Sequence, residues 1–489
     1  MAKTRNILIG LAVVAIVTAG LAVSWLRGRR CPPSMHVLLI TLDTTRADRL
    51  GCYGYDQPTT PNLDQLADDA VLFDMAIAQA AVTPVSHASI LTGLDPHHHG
   101  LRVMHGLAAN TLDEKHTTLA EVWQAAGGRT AAFVSAFPVT PTFGLGQGFE
   151  HFDMDFPNAD GEGLVSEAEG WVSTGSSQRR ADATTTAAIT WLESQPDAEA
   201  PLLMWVHYFD PHDPFVLPPK EMLGQFRPRS KDRADVLRAI YDAEVAYMDA
   251  QIGRLFDAFK QRGLWDRTIV VVVADHGEGL GDHDWWTHGI LYQEQIRVPQ
   301  IVRVPGIRPR RVMQLVRTID LMPTVLELAD VPDALRPVMD GESLTYPMRT
   351  GWTGKPRVAY SDSVNMLGYG RFDDLTRRDD KYEKLYCLID GSYKLIFHQL
   401  KPENKEFYDL LTDPREQTNL AASKPPAMLV MMERLETMQC LSPIMPGMTP
   451  TDLNRLGQLE SLGYIDRSAT TTTSTAPTAE RPTTSKAAP

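Results

Sequence analysis

The chain has 489 residues, 43% hydrophobic and 22% charged, an ordinary globular composition with enough length to bury a large core. Its formal net charge of -14 argues against a general binder of nucleic acid or anionic membranes, which need a basic surface to displace counterions, so an anionic substrate must be attracted locally. Four cysteines, Cys31, Cys52, Cys387 and Cys440, are too few and too scattered for a disulfide framework or a cysteine-rich zinc site.

The first predicted element is the apolar run Asn6 to Leu26, which has the roughly 20 residues that a membrane-spanning helix needs. A cleaved signal peptide has a shorter apolar region and a small-x-small site, for which Gly20 and Ala22 are a weak match. Residues 1–34 are therefore expected to be an uncleaved membrane anchor with its linker. Basic residues flank both ends (Lys3 and Arg5; Arg27, Arg29 and Arg30), so the positive-inside rule does not set the orientation.

From about Met35 to about Leu420, β-branched apolar runs alternate with helical patterns, the signature of a wound α/β domain. Strands are predicted at Val37 to Leu42, Ala131 to Ser135, Leu202 to Tyr208 and Ile269 to Ala274, each continuously apolar as a sheet covered on both faces requires. Helices are predicted at Asn62 to Ala70, Leu119 to Ala126, Ala181 to Ser194, Ala234 to Arg262 and Asp320 to Leu328. The fold class is α/β, a large mostly parallel sheet over residues 35–357. Short segments between charged loops after Val358 predict a smaller antiparallel subdomain over residues 358–466. Arg467 to Pro489, rich in Thr, Ser, Ala and Pro, cannot bury enough surface to offset ordering entropy and reads as a disordered tail.

Three places carry chemistry, and in open α/β sheets ligands bind just beyond the carboxyl ends of strands. Asp43 follows directly on the strand Val37 to Leu42, although alone it equally suits a cap or turn. Thr83 reads as the N-cap of a helix with Pro84 at its first position and Gly93 at its end. A hydroxyl there faces the positive end of the helix dipole, which favours an alkoxide and a bound oxyanion. Asp275 and His276 follow the strand Val270 to Ala274 and bring a carboxylate and an imidazole to the same edge. Oxygen ligands with one imidazole suit calcium, magnesium, manganese or zinc. The cluster His97, His98, His99 and His105 after Pro96 reads as a solvated turn rather than a metal site. His207 lies inside a strand and suits the core or a supporting role, and His283 suits either.

At these residues the chain resembles the sulfatase family, whose members share the alkaline phosphatase-like fold. Leu42 to Gly54 is similar to the family's first block, Thr60 to Asp64 to its continuation, and Ser89 to Gly93 to the helix after its nucleophile. Pro211-His212-Asp213-Pro214, Ala274 to Glu278, Arg297 to Gly306 and Phe407 to Leu420 extend the resemblance to most of the chain, from about His36 to about Tyr464. It implies that Asp43, Asp275 and His276 bind a metal ion and that His212 contacts the ester or leaving group. His288 lies where many relatives have a substrate-binding lysine.

Thr83 occupies the position of the cysteine that typical sulfatases convert to formylglycine. The maturation motif C-x-P-x-R is absent, with Thr83, Val85 and His87 at its three defining positions. A threonine cannot become formylglycine, so a covalent route must use the hydroxyl itself. Relatives with threonine here include phosphoethanolamine transferases and lipoteichoic acid synthase. Thr44 also replaces the second aspartate of the usual pair, and the family's Gly-Lys-x-His segment is lost around Ser135 to Phe143. A single divalent ion on Asp43, Thr83, Asp275 and His276 is the resulting expectation.

The expected activity is hydrolysis of an anionic sulfate or phosphate ester through a threonine-bound intermediate, with Thr83, His212 and His288 as the catalytic residues. The catalytic domain is expected on the extracytoplasmic side of a membrane, held by the N-terminal helix, with no nucleic-acid partner. Two alternatives stay open: a membrane-anchored transferase of a phosphoryl headgroup, and a catalytically silent binding protein of the same fold.

Overall fold

The computed structural model describes residues 33–104, 108–156, 164–166, 171–173, 178–196, 200–212, 217–352, 354–364, 384–399 and 401–438. The expected membrane helix within residues 1–34 and the expected tail 467–489 lie outside the described residues. Among the described residues no helix is long and apolar enough to cross a membrane.

The large domain is built on β1 (His36–Leu42), α1 (Pro61–Asp68), β2 (Val71–Ile77), α2 (Thr83–Thr92), α3 (Leu119–Ala125), β3 (Arg129–Val134), β4 (His151–Asp153) and α4 (Ala181–Ser194). It continues with β5 (Leu202–Tyr208), α5 (Arg233–Gln261), β6 (Thr268–Ala274), β7 (Arg297–Arg303), β8 (Arg310–Arg317) and α6 (Leu321–Leu328). The eight strands form one sheet in the order β8-β2-β7-β6-β1-β5-β3-β4. Only β7 runs antiparallel to its neighbours, so the sheet is mixed and mostly parallel.

Strands β1, β5 and β6 are buried along their whole length, which is why they read as unbroken apolar runs rather than alternating ones. Leu42 pairs with Ala274 on one side and Tyr208 on the other, so three strands end level. Asp43 N–H donates to Tyr208 O at 2.8 Å and Asp275 N–H to Leu42 O at 3.2 Å, which fixes both acids one step past the sheet edge.

Of the large-domain helices named above, only α3 starts on a side-chain cap. At α3 the Thr118 hydroxyl accepts from Glu121 N–H while the Glu121 carboxylate accepts from Thr118 N–H, a reciprocal capping box. Observed helix bounds differ from the predicted ones by up to two residues, as fraying ends do, and the predicted start at Asp320 is a separate single turn, Thr318–Asp320. Strands β2, β4, β7 and β8 were not predicted. In β7 the proline at position 299 cannot donate to the ladder, and the register with β2 shifts between Val298 and Gln300.

A second sheet is antiparallel, in the order β9 (Val358–Val364), β10 (Lys384–Asp390), β11 (Tyr393–His398), β12 (Glu406–Asp409). One face packs Leu388, Leu395 and Phe407 against Met428, Met431 and Leu435 of α7 (Pro426–Thr437), and the other packs Cys387, Ile389 and Ile396 against Ile77, Trp285 and Leu291 of the large domain. The junction is also polar. Ser361 Oγ donates to Ala78 O at 2.6 Å, Asp362 N to Gln79 O at 2.9 Å and Ser363 Oγ to Gly289 O at 2.6 Å. The small sheet thus braces the two segments that lead into Thr83 and out of His288. Cys52 and Cys387 are free thiols; Cys31 and Cys440 lie outside the described residues.

Candidate active site

Asp43, Asp275 and His276 converge beyond the ends of β1 and β6, with a ligand atom of each lying within 4.8 Å of the others and all three side chains fully buried. Thr83, the first residue of α2, brings its Oγ1 to 3.2 Å from His276 Nε2. The sequence reading of Thr83 as an N-cap is corrected. Val82, in an extended conformation, holds that position, and Thr83 is helical with Pro84 next, so its hydroxyl faces the cluster rather than the helix amides. Gly93 ends the helix at φ 68, as predicted.

Hydrogen-bond polarity fixes the protons. His276 Nδ1 lies 3.0 Å from Gly277 O, and a carbonyl only accepts, so Nδ1 carries the proton and Nε2 presents its lone pair towards Thr83 and Asp275. Asp275 Oδ1 accepts from Thr44 N–H at 3.2 Å and His276 N–H at 2.7 Å. Asp275 Oδ2 and Asp43 Oδ1 are buried oxygens with no hydrogen-bond partner. Burial pushes the Asp43 carboxyl well above its usual range, with the Thr83 hydroxyl and Thr44 amide pulling the other way. Burial, and then the facing Asp43, does the same to Asp275. Two desolvated carboxylates with orphaned oxygens and a neutral imidazole lone pair fit a bound divalent cation, whose charge both would satisfy.

Two histidines support this cluster. His207 Nε2 meets Asp43 Oδ2 at 3.2 Å, the contact that a supporting residue would make. His87, one turn after Thr83 on α2, was noted in the sequence only as a departure from the maturation motif. Trp205 Nε1 donates to Thr41 Oγ1 at 2.9 Å, which leaves the Thr41 hydroxyl hydrogen for His87 Nε2 at 3.1 Å. His87 Nδ1–H then donates to Thr83 O at 2.8 Å and lies 3.4 Å from Asp275 Oδ2. Burial holds His207 down to about 3 and His87 and His276 well below the usual histidine range, so all three are neutral.

His212 and His288 form the second half of the site. His288 Nδ1 donates to Ala81 O at 2.9 Å, so its Nε2 lone pair faces His212 Nε2 at 3.2 Å, and that nitrogen of His212 must carry the proton. The His212 ring stacks on Phe209 at 4.2 Å, and the His288 ring lies 4.4 Å from that of His276. Asp213 and Pro214, the rest of the matched motif, lie outside the described residues.

The chain geometry around the acids is tight. Gly277 carries no side chain because a Cβ there would lie 2.0 Å from Glu294 O. Arg46 donates to the carbonyls of Glu278 and Gly279 at 3.2 and 3.1 Å, and Tyr241 on α5 bonds both Thr44 O and Arg46 N–H.

The structure therefore gathers Asp43, Thr83, Asp275, His276, His212 and His288 in one place. His97, His98 and His99 stand elsewhere, and the solvated-turn reading is corrected for two of them. They form a short helix, Pro96–His99, in which His98 is exposed and bonds Asp340, while buried His99 bonds Ser89. Among the described residues they form no metal-binding group with carboxylates or cysteines. His105 lies outside the described residues. His283 pairs with Glu294 at 2.8 Å and stacks on Tyr292.

The sulfatase family profile matches residues 35–331, and a profile described as N-sulphoglucosamine sulphohydrolase, C-terminal, matches residues 281–440. An arylsulfatase of Clostridium perfringens (strain 13 / Type A) is 24% identical, over 80% of this chain and 90% of that protein. In structure the chain is similar to the phosphonate monoester hydrolase of Agrobacterium radiobacter, with TM-score 0.63, 22% identity, and coverage of 83% of this chain and 95% of that one. A protein whose structure is in complex with its substrate D-glucosamine-2-N,6-O-disulfate gives TM-score 0.64 at 21% identity, covering 84% of this chain and 98% of that one. These two likenesses establish the alkaline phosphatase-like fold.

Proposed function

The chain belongs to the sulfatase family of ester hydrolases, and from that premise we propose that it cleaves a sulfate or phosphate ester with the Thr83 hydroxyl as nucleophile. The observation that carries this reading is Thr83 Oγ1 at 3.2 Å from His276 Nε2, beside two buried carboxylates with orphaned oxygens. Asp43, Thr83, Asp275 and His276 would hold a divalent ion, which when bound would supply Lewis-acid charge that lowers the pKa of the hydroxyl. Which ion it is depends on affinities that this donor set leaves open among calcium, magnesium, manganese and zinc.

The chain's own residues divide the remaining work. The Thr83 oxygen, its proton released to solvent, attacks sulfur or phosphorus at the positive end of α2, forming a threonine ester as the bond to the departing alcohol breaks. His212, protonated at both ring nitrogens with its Nε2–H directed by the His288 lone pair, gives the Nε2 proton to the departing oxygen and is left as neutral imidazole. The deprotonated His212 then takes a proton from water, which attacks the same sulfur or phosphorus and frees Thr83. His87 and His207 keep the acids oriented and stay neutral, so they add no charge to an anionic site.

A second reading rests on the same residue. A threonine ester is discharged by attack on sulfur or phosphorus, and an alcohol oxygen can take the place of water in that attack, so headgroup transfer uses the same intermediate. A screen of aryl sulfates, aryl phosphates and bis-aryl phosphodiesters on wild type and Thr83→Ala tests the proposal. Turnover in wild type that disappears in Thr83→Ala supports the nucleophile, and retained turnover in the variant excludes it. Faster discharge on adding an alcohol, with the alcohol recovered as an ester, identifies a transferase. A protein that holds metal yet turns over none of these esters is a silent binder.

A further inference from the structure

Beside the catalytic centre, and lined by none of its residues, lies a cleft of about 1150 Å³. One wall is the face Asp235, Arg238, Ala239 and Asp242 of α5, a second is the loop 226–229, and a third is the loop carrying Pro414, Arg415 and Gln417. Arg46 lies at its base, with its guanidinium also on the carbonyls that follow His276, so the cleft backs onto the catalytic loop.

The charges in this cleft do not cancel. Six carboxylates line it and each has a cation: Asp48 and Asp282 meet Arg46, Asp242 meets Arg49, Asp235 meets Arg238, Asp74 meets Arg297 and Glu294 meets His283. Arg227, Arg229 and Arg415 remain, exposed and with no acid partner among the described residues. In a chain of net charge -14, a concavity whose seven arginines outnumber its six carboxylates, with three of the guanidiniums outside any ion pair among the described residues, stands out. No lysine lines it. Arginine is the weakly hydrated cation whose planar fork matches oxyanions, and the volume exceeds the roughly 300–1,000 Å³ of ordinary small-molecule sites.

We propose that this cleft is a second, non-catalytic site that grips a sulfated glycan chain through Arg227, Arg229 and Arg415. The choice of sulfate over other anions rests on the ester-hydrolase reading above. The charge excess does not depend on that reading. Guanidiniums on two separate loops offer spaced contacts to repeated anionic groups, which a single small anion does not use.

Affinity electrophoresis of the full chain through gels containing dextran sulfate tests this, with uncharged dextran and poly-L-glutamate as comparison polymers. Wild type and Thr83→Ala are expected to be retarded equally by dextran sulfate and not by dextran. The triple variant Arg227→Gln/Arg229→Gln/Arg415→Gln is expected to bind at least tenfold more weakly, while Arg308→Gln/Lys424→Gln, outside the cleft, binds as wild type. Wild-type retardation of the triple variant overturns the proposal. So does loss of retardation in Thr83→Ala, which places the anion at the catalytic centre, and so does equal retardation by poly-L-glutamate, which makes the partner an acidic protein segment. Retardation without any aryl sulfate turnover counts against the hydrolase reading alone.

Discussion

At the scale of single residues, the site is a set of proton positions that the backbone dictates. The Ala81 carbonyl fixes His288, His288 fixes the His212 proton at Nε2, and the Gly277 carbonyl fixes His276 with its lone pair forward. If His212 is the acid, His212→Gln should slow esters of poor leaving groups by roughly 10² to 10⁴ and leave aryl esters of acidic phenols far less affected. A uniform loss across leaving groups, measured as kcat/KM, would assign it to binding instead. Asp43, Asp275 and His276 were legible because unbroken apolar runs end at them. His87 was not, because α2 is buried on every side and shows no polar face against which an inward histidine stands out. Thr83 was found for its position but misread as a cap, since a threonine-proline pair looks alike whether the threonine is the cap or the first helical residue.

At the scale of elements, the level ends of β1, β5 and β6 place the acids, and close packing keeps them there. Gly277→Ala should force the Asp275–Gly279 turn off Glu294 O, costing about 1–3 kcal/mol as overpacking does, and should reduce activity with the fall in thermal midpoint. An unchanged midpoint would show that the turn relaxes freely. The junction of β1 with β5 carries a pH dependence. His36 Nδ1 accepts from Leu202 N–H at 3.0 Å, and burial, then Arg267, lowers its pKa to about 4. The unfolded chain binds this proton near 6.5, so between there and about 4 the unfolded state holds more protons and stability falls as pH falls. His36→Gln should therefore flatten the decline in thermal midpoint across that window, and an unaltered slope would remove His36 as its source. Strands β2, β7 and β8 escaped the sequence reading because their apolar runs are interrupted, by Asp74, the proline at 299 and Gln314 respectively.

At the scale of the whole molecule, a mostly parallel eight-stranded sheet offers the acids and a small antiparallel sheet braces the loops that carry Thr83 and His288. Both sheets were legible as a change from long apolar runs to short segments between charged loops. Their shared core was not, because the residues that make it, such as Ile77 and Ile389, are far apart in sequence. A cation that binds only the folded chain stabilises it by mass action, about 2.7 kcal/mol at a hundredfold excess over its Kd. Chelation should therefore lower the thermal midpoint of wild type, and Asp275→Asn should abolish that response. A midpoint indifferent to chelator would contradict a metal at the Asp43–Asp275–His276 cluster. The claim on which these expectations converge is that Thr83 becomes esterified. Acid quench of the working enzyme on a sulfate or phosphate ester, followed by peptide mass spectrometry, should find the sulfuryl or phosphoryl group on the peptide bearing Thr83. An unmodified Thr83 during demonstrated turnover would contradict it.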